Sequence, residues 1–140
     1  TKYIYMDFVI DRAKLVEVQI TQTGQGGTLQ FPVNLDDLNN AKIYGVQIIT
    51  ATELVTSPAG RPNILDSDLP FIAVTFAEMP GSNKRIDQVP AYSLNRELNS
   101  GRFYEWKGFQ WNPSSSKINI LSAGLATTDS ILFMFYYTPV

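Results

Sequence analysis

At 140 residues and 15.7 kDa the chain is the size of one ordinary domain, and with 44 % hydrophobic, 12 % aromatic and 17 % charged residues it is too apolar for a disordered chain and has material for a packed core. It contains no histidine and no cysteine, which excludes disulfide scaffolds, cysteine nucleophiles, Ser-His-Asp relays, and imidazole or thiolate metal sites. The net charge is −2, and the 11 Lys and Arg residues stand singly apart from Lys84-Arg85, so no basic stripe follows a phosphate backbone and direct nucleic-acid binding is not expected.

Residues 3–10 alternate through Ile4, Met6, Phe8 and Ile10 and are read as strand on β-propensity. Residues 1–12 are expected to form an N-terminal arm or extra strand of a single domain spanning 1–140. Residues 14–21 alternate again, with Val16, Val18 and Ile20 on one face and Glu17, Gln19 and Thr21 on the other, the pattern of a half-buried strand. The glycine-rich Thr23-Gly24-Gln25-Gly26-Gly27 follows, then a second alternating stretch at 28–33, and the two strands are predicted to form a hairpin. Residues 34–40 carry an Asn cap and Leu35 and Leu38 three apart, consistent with one helical turn.

Residues 43–50 are rich in β-branched side chains and nearly apolar on both faces, which predicts a central strand that is either covered on two sides or bent at Gly45. The stretch 56–70 holds Pro58, Gly60, Pro62, Asp66, Asp68 and Pro70 and is read as a long surface loop unable to hold a ladder. Residues 71–76 place Ile72, Val74 and Phe76 on one face, residues 79–83 read as a turn, and 86–94, broken by Pro90, is predicted as an edge strand or bulge. Residues 102–106 and 107–111 are aromatic-dense strands separated by Gly108, with Asn112-Pro113-Ser114-Ser115 as a closing turn. Residues 117–121 and 131–137 complete the series, the latter predicted to be the most buried strand. It is an uncharged apolar run about a third of the ~20 residues a membrane-spanning helix needs. No basic-then-apolar leader opens the sequence.

Few residue groups suggest chemistry. Gly24-Gln25-Gly26-Gly27 lacks the Gly-Lys-Ser/Thr ending of a phosphate cradle and precedes a strand, so it is read as a turn. Asp36-Asp37 and Asp66-Ser67-Asp68 supply hard oxygen ligands for Ca²⁺ if loops converge, but lack EF-hand spacing and consist of ordinary turn and cap residues. Glu53, Glu78, Glu97 and Glu105 contain no spacing that selects a glycosidase pair. No cofactor, no metal and no enzyme activity are expected. The aromatic cluster of Tyr104, Trp106, Phe109 and Trp111 is the candidate site. Such rings either fill a core or subunit interface or stack on sugars from an exposed sheet.

These short strands at intervals of about ten residues predict an all-β antiparallel sandwich, with a single jelly roll favoured and an immunoglobulin-like sandwich as the alternative. The strand rhythm, the long Pro/Asp loop, and the closing pair Ser116-Lys117-Ile118-Asn119-Ile120 and Ser130-Ile131-Leu132-Phe133-Met134-Phe135-Tyr136-Tyr137 resemble small single jelly-roll structural proteins of icosahedral bacteriophages, of the penton or minor capsid kind. That resemblance implies a non-enzymatic virion subunit that forms a homo-oligomer and contacts other capsid proteins. The alternative is a secreted carbohydrate-binding sandwich whose glycan platform is drawn from the same aromatic residues.

Overall fold

The computed structural model describes residues 12–21, 27–32, 38, 41–78, 83–95, 104–121 and 129–138, and for residues 12, 83, 85 and 104–107 the backbone alone. Among them are seven strands: β1 (Arg12–Gln19), β2 (Thr28–Gln30), β3 (Lys42–Ile49), β4 (Ile72–Glu78), β5 (Asn83–Pro90), β6 (Tyr104–Ile120) and β7 (Ser130–Thr138). Two short 3-10 segments, Asp66–Phe71 and Ala91–Leu94, are the helical elements among the described residues. The expected all-β class holds. Every strand pairing is antiparallel.

The strands form one hydrogen-bonded sheet in the order β1-β7-β3-β6-β4-β5, with β2 also on β6. That sheet is folded over on itself. In a flat sheet β7 and β4, three lanes apart, would be separated by about 14 Å, yet the Phe76 ring of β4 lies 5.8 Å from that of Phe135 in β7. The fold line is β6. Its first part pairs with β3 from Tyr104 to Gln110, and its second pairs with β4 from Trp111 and with β2 further on. One layer is therefore β1-β7-β3 with the start of β6, and the facing layer is β2 and β5 flanking the end of β6 and β4.

Period-two alternation places the core where the sequence suggests. Val16, Val18 and Ile20, then Ile72, Val74 and Phe76, enter it together with Ile131, Phe133 and Phe135 from β7. β3 is central, between β7 and β6, and against β7 its register shifts by one residue at Tyr44, the bend expected beside Gly45; on the other side the step from Ile43 to Gly45 faces the longer step from Phe109 to Glu105 of β6. This reverses the parity of the strand, so that Ile43 on one side and Val46 and Ile48 on the other all face inward. β5 pairs with β4 alone, ends at Pro90 and carries Gln88 at φ 53°, an irregular edge as predicted.

Four expectations need correction, and others fall outside the described residues. The strands before and after the glycine-rich stretch do not form a hairpin: β1 pairs with β7 and β2 with β6. Local alternation identifies a strand but not its partner. Gly108 does not separate two strands, because β6 runs unbroken past it; a Cβ at 108 would lie 2.4 Å from the Tyr44 ring, so glycine admits that ring against the backbone. The 112–115 turn is a bulge inside the same strand. The 56–70 segment is a largely exposed loop as expected, but it does hold ladder bonds: Pro62 O accepts from Ser130 N and Ile64 N donates to Ser130 O, extending the β7 lane where β3 has ended. The turn expected at 34–40 lies outside the described residues apart from Leu38, as do 79–82, 22–26 and the 1–11 arm.

The core centres on Phe31, whose ring lies 5.1 to 6.4 Å from those of Phe133, Trp111, Phe76 and Phe135, rings contributed by both layers. Phe31→Ala is expected to cost about 3–5 kcal/mol of stability, while Val55→Ala, at a 71 % exposed position, stays within about 0.5 kcal/mol of the parent; urea midpoints at constant m-value measure both.

Candidate functional site

The two halves of the aromatic cluster have different standing. Tyr104 pairs through its backbone with Val46, but its side chain and that of Trp106 lie outside the described ones. Phe109 and Trp111 are 4 % and 2 % exposed, so neither ring presents a face to solvent, which removes both from a sugar-stacking platform on this subunit. The reason lies in β6: Trp111 is the first residue paired with β4, and its ring faces the interior against Phe135 at 4.7 Å. Its indole N–H needs an internal acceptor. Ser116 provides one, with Oγ accepting from Trp111 Nε1 at 2.9 Å and from Ala77 N at 3.0 Å while donating to Asn112 O at 2.8 Å.

This hydroxyl holds the bulge. Between the pairs Ala77↔Asn112 and Thr75↔Lys117, residues 113–116 stand opposite the single residue Phe76. Ser114 Oγ donates to Asn112 Oδ1 at 2.8 Å, and Asn112 Nδ2 donates to Ser115 Oγ at 3.2 Å, so the bulge is bonded through its own side chains. Ser114 and Lys117 also stand at Ser-x-x-Lys spacing, a signal the sequence analysis missed. That spacing brings nucleophile and base together on a helix, where i and i+3 are neighbours. Here both lie in β6, the Ser114 hydroxyl is committed to Asn112, and Lys117 is opposite Thr75 and Gln30.

The carboxylates do not converge. Thr50 Oγ1 and Thr52 Oγ1 donate to the two oxygens of Asp66, and Leu65 N donates to Asp68 Oδ2 at 2.9 Å; these acids fasten the turn they begin. Glu53 lies just past the end of β3, where its N–H donates to Thr50 O, whereas Glu78 sits at the opposite end of the sandwich beside Asn83. Among the described residues no group of three acidic side chains could hold a metal. Asp36, Asp37 and Glu97 lie outside the described residues, and so does the side chain of Glu105. A shallow groove of ≈ 410 Å³ between β1 and β2 is lined by Glu17, Val18, Thr28, Leu29 and Phe31 among others. Glu17, its sole ionisable lining residue, is held by Arg61 at 2.8 Å.

The feature that stands out is apolar. The exposed large hydrophobic residues among those described are Leu54, Val55, Leu65, Phe71, Tyr92 and Leu121, and the topology brings all six to one end of the sandwich. β3 finishes there at Ile49; β4 begins there at Ile72, opposite Ile120, and Pro90 pairs with Ala73. Asp66–Phe71 crosses that end: six residues of 3-10 helix rise about 12 Å, which matches the ~10 Å between facing layers. Its Leu69 is fully buried and plugs the core. Beneath the loops Asn63 Nδ2 donates to Leu54 O at 2.6 Å and Asn95 Nδ2 donates to Ile48 O at 3.2 Å. The apolar side chains are thus carried on fastened loops.

No protein-family model matches the chain, and neither a curated protein nor a solved structure matches it. Among the described residues, no helix is long and apolar enough to cross a membrane.

Ser116→Ala strands two buried donors, the Trp111 and Ala77 N–H groups, at about 1–3 kcal/mol each. The expected outcome is a loss of roughly 2–4 kcal/mol in chemical denaturation, whereas Ser114→Ala, on the exposed rim of the same bulge, costs less than about 1 kcal/mol.

Proposed function

We propose that this chain is a structural subunit of a virion, a single jelly roll of the capsid or penton type that works by self-association and contact with other virion proteins. Strand order supports the jelly-roll form. Counting the two parts of β6 separately, between Gln110 and Trp111, makes eight strands whose pairing is nested: first with last (β1 with β7), second with seventh (β2 with the end of β6), third with sixth (β3 with the start of β6) and fourth with fifth (β4 with β5). A long antiparallel ribbon rolled up on itself pairs in this way. In an immunoglobulin-like sandwich the first strand pairs with the second, and here β1 and β2 lie in different layers.

What carries the proposal is the loop end. Six large apolar side chains gathered at one end and held on hydrogen-bonded loops form a surface for contact, because scattered single hydrophobics are ordinary whereas grouped ones mark interaction sites. The virion setting rests on the resemblance of the closing strands, now the end of β6 and β7. The carbohydrate-binding alternative loses Phe109 and Trp111 from its platform, since both are core residues.

Light scattering on purified protein at high micromolar concentration is expected to read a multiple of the 15.7 kDa chain mass. A strictly single-chain mass, with no virion protein captured by the chain, overturns the proposal. A sugar panel that leaves tryptophan emission unchanged is the companion result, and saturable quenching by one sugar would restore the glycan alternative.

A further inference from the structure

Among the described residues four stretches of strand have a ladder on one side only, and three of them are ill suited to take a further strand. β5 shifts register against β4, carries Gln88 at φ 53° and ends in Pro90. The start of β6 meets β3 across an irregular step from Phe109 to Glu105 that contains Gly108. β2 is three residues long, with Pro32 soon after it. β1 differs from all three. Its eight residues pair with β7 without a register shift, and it holds neither proline nor glycine. One bond fixes the direction of its backbone groups: Ile20 N donates to Asp129 O at 3.1 Å, continuing the β1–β7 register by one pair. In an antiparallel ladder alternate residues turn their N–H and C=O to the same neighbour, so Val18, Val16 and Lys14 bond toward β7 while Ala13, Leu15 and Glu17 present theirs on the other side. That side adjoins the groove of ≈ 410 Å³. β1 and β2 are outermost in their layers there, and the core residues Val18, Leu29 and Phe31 line the opening between them.

Resting on the self-association proposed above, we infer that two copies of this chain pair edge to edge through β1, antiparallel about a twofold axis, so that the β1-β7-β3 layer of one copy continues into that of the other. A twofold contact sets the same strand of both copies side by side, and such a ladder is centred on one residue that faces its own counterpart. Four centres lie in the middle of β1: Lys14, Leu15, Val16 and Glu17. Lys14 or Glu17 at the centre puts like charges directly opposite, which is unfavourable. Leu15 or Val16 at the centre puts an apolar residue opposite itself and pairs seven residues of each strand, 12–18 or 13–19. Lys14 then lies opposite Val16 or Val18 of the second copy, an apolar neighbour for its stem. Glu17 is already held by Arg61 of its own chain at 2.8 Å. Main-chain bonds along an added strand supply affinity without a large apolar patch. The added layer also extends past the groove and shields its apolar lining from water.

Leu15→Pro removes an N–H that points away from β7 and leaves the bonds to β7 in place. With circular dichroism unchanged, it is expected to halve the mass that light scattering reads for the parent. A parent multimer whose mass survives Leu15→Pro overturns the edge pairing while self-association stands, and a single-chain mass for the parent overturns the edge pairing whatever virion protein the chain captures. Cysteine variants of the cysteine-free chain report on the strand without relying on the proline variant. Cα atoms directly opposite in an antiparallel ladder lie about 4.5–5.5 Å apart, within reach of a disulfide. Leu15→Cys or Val16→Cys, whichever residue is the centre, is expected to give a linked dimer by itself on mild oxidation. Ala13→Cys, two or three residues from either centre, is expected to give none. Absence of a dimer from both central variants, as when a different segment lies along the edge, overturns the pairing, and so does a dimer from Ala13→Cys.

Discussion

β6 belongs to both layers, and the rest of the molecule is arranged around that sharing. At Gln110 the strand is still paired with β3 and at Trp111 it is already paired with β4, so one continuous backbone carries hydrogen bonds from one layer into the other. Trp111 stands at the handover, and its ring packs between layers while its N–H must be satisfied in a place water does not reach. Ser116 meets that need and, in the same geometry, ties the bulge to β4 through Ala77 N. A buried polar group of this kind costs stability when left alone and rigidifies the fold when every partner is present.

The same economy of fastening extends to the loop end. The 3-10 helix that crosses the sandwich is closed below by Leu69 and held at its start by Asp66 and Asp68, and Asn63 and Asn95 bind neighbouring segments to the strands below. Apolar side chains on segments already ordered lose little further freedom when they are covered, which favours association. The edge strand β5 is shaped against recruiting a partner, with Lys84 and Asp87 on it, a left-handed Gln88 and a terminal proline. The exposed large apolar side chains among the described residues lie at the loop end and not along that ladder edge.

Much of the fold was legible in the sequence because burial on one face of a strand imposes period two. The inward sets of β1 and β4, the central position of β3 with its bend at Gly45 and the edge character of the Pro90 segment were each visible in residue order; the expectation that β7 is the most buried strand gives way to β4, which is buried at all its positions but the last, whereas Met134, Tyr136 and Thr138 of β7 are half-buried. The pairing of β1 with β7 was not, because the partners are separated by more than a hundred residues and alternation contains no address. Gly108 and Pro113 both read as breaks. Each is absorbed within β6, the first by the Tyr44 ring and the second by hydrogen bonds among Asn112, Ser114, Ser115 and Ser116. The aromatic cluster drew attention for its composition, yet the backbone handover at β6 is what turns Trp111 inward. The six residues of the loop end come from four separate stretches, and only the common end of the sandwich unites them.

Taken alone, the order of residues determined that this chain builds antiparallel strands around an apolar core and lacks the imidazole and thiol groups of much catalytic chemistry, because composition and alternation act over a few neighbouring residues. Which strands meet, that Trp111 is buried and which hydrophobic side chains remain in water were decided by the tertiary structure alone, because those outcomes depend on contacts between segments far apart in the chain, where hydrogen-bond satisfaction and core volume have to be met all at once.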